Sequence, residues 1–219
     1  MEVVYEDNHI IIVNKKVGEI VQGDKTGDKP LSETVKEYIK EKYNKPGNVF
    51  CGVVHRIDRP VSGLVIFART SKALERLNRM LRDGEIHKTY HALVEGAPAK
   101  DEALLEDLLV SDGRINKTFI AKPGTPDAKL SRLKYRTIEK GDRYTLLEVN
   151  LLTGRKHQIR AQLSAMGHPI KGDLKYGARR SNKDGGISLE AHRIEFIHPV
   201  SKQTIDISLP ERTISEIVK

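Results

Sequence analysis

The sequence predicts an α+β fold built on a mostly antiparallel sheet. Segments with strand character outnumber those with helical character, and several neighbouring strands are joined by connections of hairpin length. No internal repeat, low-complexity tract or long Pro/Gly/Ser linker interrupts the 219 residues, so a single continuous domain over 1–219 is expected.

The elements follow in chain order. Val3 to Tyr5 and Ile10 to Val13 read as short strands around the polar turn Glu6-Asp7-Asn8. The spacing of Val35, Ile39 and Tyr43 predicts a helix that starts at Pro30 and ends at Asn44-Lys45-Pro46-Gly47. Leu64-Val65-Ile66-Phe67-Ala68 is a continuous apolar run, the pattern of a strand buried on both faces. A helix follows from Ser71, with Leu74, Leu77 and Leu81 on one side and a stop at Asp83-Gly84. His87 to Val94 alternates, placing Tyr90, Ala92 and Val94 on one face. Strands at Arg132–Ile138 and Arg143–Leu151 flank the turn Lys140-Gly141-Asp142. His157 to Met166 is helical through Ile159, Leu163 and Met166, and Gly167 ends it. Strands at Leu189–Ile197 and Ile205–Leu209 precede a short C-terminal helix.

Apolar residues are 38% and charged residues 31% of the chain, an ordinary globular balance. The formal net charge is +8, and it is unevenly placed. Between Thr153 and Lys183 lie Arg155, Lys156, Arg160, Lys171, Lys175, Arg179, Arg180 and Lys183, against Asp173 alone. Such a stretch suits a surface that follows phosphates, although a solvated charged loop is the plainer reading for Arg179, Arg180 and Lys183. Cys51 is the single cysteine, which excludes an internal disulfide and a Cys-rich metal site; beside Val49 and Phe50 it reads as a small core residue. The N-terminal residues have neither the basic nor the apolar part of a signal peptide, and no apolar run reaches membrane-spanning length, so the cytoplasm is expected.

The stretch with chemical character is His55-Arg56-Ile57-Asp58-Arg59-Pro60-Val61-Ser62-Gly63, leading into the apolar strand. Pro60 and Gly63 mark a tight turn. Asp58, flanked by Arg56 and Arg59, is expected on a rigid loop at the sheet edge, where neighbouring cations hold a carboxylate ionised. A salt-bridge cluster that merely closes a turn fits the same residues.

Residues Gly52 to Ala68, with their His55-Arg56-Ile57-Asp58 core, closely resemble the central motif of the RluA-type RNA pseudouridine synthases. Further blocks match in the same order. Lys88-Thr89-Tyr90 resembles the family's K-x-Y strand, and Thr153-Gly154-Arg155-Lys156-His157-Gln158-Ile159-Arg160 its TGR-x-HQIR motif. Gly167 to Gly177 resembles the block that follows. The resemblance runs from about Val3 to the C-terminus. Ile57 stands for the commoner Leu, Pro60-Val61 for a residue followed by Thr, and Ala161-Gln162 for Val-His.

The resemblance implies the pseudouridine synthase fold, a mixed sheet with flanking helices and a central basic cleft. It implies an RNA pseudouridine synthase, an isomerase acting on specific uridines of ribosomal or transfer RNA, with no cofactor, no metal, no membrane association and a monomeric state. With no N-terminal RNA-binding domain preceding the catalytic-type segment, RNA binding is expected to fall on the catalytic domain itself. By position, Asp58 matches the catalytic Asp, Arg160 the basic residue that pairs with it, and Tyr90 the active-site Tyr. Arg56 matches the residue that fills the stack vacated by a flipped-out nucleotide. Arg155 and His157 are candidates for orienting the RNA backbone or the loop, and His55 for a packing role.

Three other readings compete. A catalytically silent RNA-binding protein on the same fold predicts damage to the set Asp58, Tyr90 and Arg160, and all three are intact. A glycosidase-like hydrolase needs two acids across the scissile bond, and the motifs supply one. A metal enzyme using His87, His91 and His157 lacks a specified third ligand on the strand that carries the first two.

Overall fold

The computed structural model describes residues 1–218. Its strands and helices, in chain order, are β1 (Glu2–Glu6), β2 (Ile10–Lys15), α1 (Leu31–Lys42), β3 (Gly52–Val53), β4 (Ser62–Ala68), α2 (Ser71–Arg82), β5 (His87–Glu95), β6 (Glu102–Asp112) and β7 (Lys117–Ala121). They continue with β8 (Lys129–Lys140), β9 (Tyr144–Leu151), α3 (Gln158–Ala165), a 3₁₀ turn at Leu174–Tyr176, β10 (Leu189–Ile197), β11 (Thr204–Ser208) and α4 (Ile214–Val218). Every strand pairing with a defined register is antiparallel, as expected of the α+β class. The chain divides into two compact units, Met1–His87 with Ala191–Leu209, and Lys88–Glu190 with Pro210–Lys219.

In the first unit the strands run β1-β2-β4-β10, with β3 on β4 and β11 on β10. Opposite each other on β2 and β4 stand Ile12 and Ile66, Ile11 and Phe67, and Val13 and Val65. All six side chains are sealed from solvent, so both faces of this ladder are core, and that is why Leu64–Ala68 shows no polar alternation. Ile10, Ile12, Leu64 and Ile66 pack with Ala73, Leu77 and Met80 of α2 and with Ile194 and Phe196 of β10. The α2 helix is started by Thr70, whose hydroxyl accepts the Ala73 N–H at 3.1 Å. Pro30 precedes α1 in an extended conformation, Glu33 sits in its first turn, and Lys40 and Lys42 sit in its last, each favourable to the helix dipole.

The second unit orders its strands β5-β9-β8-β6-β7. Strand β5 departs from the expected alternation, because Thr89 to Val94 are all buried. Strands β6 and β7 arise from a segment with no clear two-residue period. Leu104-Leu105-Glu106-Asp107-Leu108-Leu109 mixes apolar and acidic residues in pairs, and the partners that make it a strand are supplied by β7 and β8. Helix α3 has six of its eight residues buried, Gln158 to Leu163.

Gly63 corrects one expectation. It is a residue of β4 rather than part of the preceding turn, with φ of +115°. A Cβ built there would lie 2.4 Å from the Ala191 carbonyl oxygen and 2.6 Å from its nitrogen. Backbone on both sides leaves no room for a side chain. Gly63→Ala is therefore expected to lower stability by about 3 kcal/mol or more, from strain and overlap together. Urea unfolding of the variant measures it, and a midpoint equal to that of the wild type would refute the close approach.

Candidate active site

The loop bearing Asp58 is short and tied at several points. Val61 N–H donates to the Asp58 carbonyl at 3.0 Å, closing a turn over Arg59 and Pro60. Ile57 is buried and pins the loop beside β4, while Asp58 is half-buried and Arg56 exposed. His55 is buried, and its Nε2 accepts the Ile66 N–H of β4 at 3.2 Å, the packing role expected of it. Arg59 does not sit on the Asp58 carboxylate. Its Nη1 donates to Asp28 at 2.7 Å and its Nη2 to Thr26 at 2.9 Å, tying the 24–28 segment to the turn.

A buried cation coupled to Asp58 lies outside the motif residues. Lys15, at the end of β2, is fully buried. Its ammonium donates to the carbonyls of Lys16 at 2.9 Å, Glu19 at 2.9 Å and Arg59 at 3.2 Å. All three ammonium hydrogens thus find oxygen, one of them on the Asp58 loop itself. Burial pushes the ammonium down to about 8, against the opposing pull of the Glu19 and Asp58 carboxylates. A lysine closing a strand that opens with four apolar residues was the available signal.

The second unit holds the remaining candidates. Tyr90 is buried on β5, opposite Val149 of β9. Its K-x-Y partner Lys88 has its ammonium pKa lowered by burial, and a Cβ added to Gly154 would start 3.8 Å from that ammonium. The K-x-Y strand and the TGR segment therefore meet. Gln158 holds the TGR loop in place. Its Oε1 accepts from the Thr153 hydroxyl at 2.8 Å and the Arg155 N–H at 3.0 Å, and its Nε2 donates to the Arg132 carbonyl at 3.0 Å. Gln162, where the family has His, is buried and donates to Asp107 of β6 at 2.7 Å, so the departure is absorbed by a local hydrogen bond.

His157 and Arg160 face inward. His157 adopts a left-handed conformation, φ +51°, immediately before α3, and its Nδ1 bonds the Tyr176 hydroxyl at 2.9 Å. Arg160 is buried in a two-pronged ion pair with Asp173, Nε to Oδ2 at 2.7 Å and Nη2 to Oδ1 at 2.9 Å. Asp173 and Tyr176 lie in the Gly167–Gly177 block that matches the family, and Asp173 is the one acid in the basic stretch, but the motif match assigned neither a role. The rest of that stretch is sorted by the fold. Arg155, Lys156, Lys175, Arg179, Arg180 and Lys183 are exposed, and Arg179 lies 3.7 Å from Glu95. Of the six site candidates, the first unit thus carries Asp58 and Arg56, and the second Tyr90, Arg155, His157 and Arg160. Cys51 is half-buried rather than a core residue, because Phe50 beside it faces solvent; partial burial still pushes its thiol up to about 12.

Residues 9–165 match the family model described as RNA pseudouridylate synthase. The chain belongs to this family. It is 35% identical to the ribosomal large subunit pseudouridine synthase C of Vibrio cholerae, over 95% of this chain and 65% of that protein. It is 29% identical to the tRNA pseudouridine synthase C of Pectobacterium carotovorum, over 94% of this chain and 58% of that protein. The chain thus spans about two thirds or less of the length of these relatives. A solved human structure, RNA pseudouridylate synthase domain containing 4, superposes with a TM-score of 0.80 at 18% identity, covering 95% of this chain and 88% of that one. The fold is that of the pseudouridylate synthases. No helix among the described residues is long and apolar enough to cross a membrane.

The sign of the Lys15 effect on stability follows from its depressed pKa. Unfolded, the group titrates near 10.5; folded, near 8. Between these values the unfolded chain binds the extra proton, so stability rises with pH across that window and is lost again as pH falls through about 8. The rise attributable to this group is about 3 kcal/mol. Urea unfolding at pH 7.5 and pH 10 should show a larger rise in the wild type than in Lys15→Met. Equal rises would show that the ammonium is not desolvated.

Proposed function

We propose that this chain isomerises specific uridines of structured RNA, ribosomal or transfer RNA, to pseudouridine, with residues 1–219 working as one monomeric cytoplasmic catalytic domain. The observation that carries the reading is the family motif around Asp58, its carboxylate half-exposed on a turn anchored to β4 and Arg56 exposed two residues before it.

The reaction breaks the bond from ribose carbon 1′ to uracil N1 and makes one from carbon 1′ to uracil carbon 5. A proton leaves carbon 5 and N1 gains one, so nothing is oxidised and no water is consumed. Asp58 acts on the ribose, either as nucleophile at carbon 1′ or as base toward a sugar proton. Arg160, which by motif position matches the family's basic partner of the catalytic Asp, supplies positive charge to the reaction. Tyr90 offers a ring for the detached uracil and a hydroxyl for proton loss from carbon 5. The target nucleotide must leave its helix, at a cost of a few kcal/mol, and Arg56 fills the gap with a flat cation that stacks. Arg155, exposed on the TGR loop, meets RNA directly; His157, buried, serves by holding that loop.

Tritium release from RNA labelled at uridine carbon 5 tests the assignment. The wild type is expected to release label without added metal or nucleotide, and Asp58→Asn to bind RNA while releasing none. Equal release by the variant would remove Asp58 from its role.

The exposed cations predict a salt dependence. RNA affinity should fall by about 0.7 log units per tenfold increase in salt for each single-strand phosphate neutralised. Filter binding of RNA to the Asp58→Asn protein measures the slope, and a slope of zero would rule out the electrostatic surface.

A further inference from the structure

Two side chains of the Gly167–Gly177 block, which the motif match left without a role, converge on Arg160. The Asp173 carboxylate grips one edge of the guanidinium through both oxygens, and the two side chains are only 2% and 6% exposed. The Tyr176 ring lies against the same group, its centroid 4.9 Å from the guanidinium carbon. The Tyr176 hydroxyl accepts the Thr118 N–H of β7 at 2.8 Å and bonds His157 Nδ1 at 2.9 Å.

Both side chains spring from one tight turn. The Asp173 carbonyl accepts the N–H groups of Tyr176 and Ala178, each at 3.0 Å. The turn can be this tight because residue 172 is glycine, at φ +90°, where a Cβ would come within 2.7 Å of Asn182. Upstream, Lys171 N–H donates to the Leu93 carbonyl at 2.8 Å and Glu95 N–H to the Pro169 carbonyl at 2.9 Å, so the turn is fastened to β5.

A carboxylate bonded to two nitrogens sets the plane of a guanidinium, and a ring against its face sets its tilt. Together they leave one orientation. A salt bridge whose purpose was to close the turn would need neither the ring nor the hydroxyl that reaches His157, three residues before Arg160 in the same motif. We propose that Asp173 and Tyr176 are positioning residues for Arg160, and that Tyr176 makes Arg160 and His157 a single mechanical unit. This rests on the reading of Arg160 as a participant in the reaction.

The test is single-turnover tritium release at saturating RNA for Asp173→Asn, Tyr176→Phe, Arg160→Gln and the double variant Arg160→Gln/Asp173→Asn, each checked for folding by circular dichroism. Displacing a reacting group by about 1 Å costs on the order of a hundredfold. Asp173→Asn should therefore slow the step at least about tenfold while RNA affinity stays within about threefold. Tyr176→Phe, which keeps the ring and loses the hydroxyl, should slow it by about threefold and remains informative if Asp173→Asn does not fold. In the double variant, loss of Asp173 should add nothing to the loss of Arg160. A slow Arg160→Gln beside wild-type rates for Asp173→Asn and Tyr176→Phe would overturn the proposal, as would additive losses in the double variant. A wild-type rate for Arg160→Gln would instead remove Arg160 from the reaction, and the premise with it.

Discussion

Arg160 has been taken out of water, and the second unit is arranged around the cost of doing so. An effective desolvation penalty of several kcal/mol per ion is met only when a buried pair has good geometry and its remaining hydrogen bonds are made. Asp173 supplies that geometry, and the turn that carries Asp173 is held to the backbone of β5. The order of motifs along the chain then has a physical meaning. The K-x-Y strand is distant in sequence from the TGR loop, α3 and the Gly172-Asp173 turn, which follow one another between residues 153 and 173, and each needs another to settle its own conformation. The Gln158 amide does the same for the loop that the ion pair does for the helix.

The first unit solves a different problem with the same economy. A loop containing Arg56, Asp58 and Arg59 must stay rigid beside a strand with no polar group to offer. Lys15 reaches the loop from beneath through the Arg59 carbonyl, and Arg59 itself turns outward to Asp28 and Thr26. The backbone around Asp58 is thus held by the Val61 N–H and by the Lys15 ammonium on the Arg59 carbonyl.

How much of this was legible in the sequence depends on whether a residue's role is local. The strand Leu64–Ala68 and helix α2 were readable because burial on both faces, or on one side of a helix, leaves its own period. Strand β5 was placed correctly but with the wrong exposure, since His91 and Thr89 look like solvent-facing residues until their neighbours are known. Strands β6 and β7 left no usable trace, because Glu106 and Asp107 break the alternation and are accommodated by Arg132 and Gln162 from elsewhere in the chain. Asp58, Arg56, Tyr90, Arg155, His157 and Arg160 could be named from motifs. Lys15 could not, because it acts through Arg59, 44 residues away; Asp173 and Tyr176 lay in a matched block, but their role shows only in the packing around Arg160.

The single thiol has a practical corollary. Burial pushes the Cys51 thiol up to about 12, so thiolate is scarce there near neutral pH and maleimide or iodoacetamide reacts slowly. A cysteine placed on an exposed loop would be the dominant site of labelling, and a fluorophore attached to it would report docking of a nucleic acid without first having to strip the protein of its own sulfhydryl.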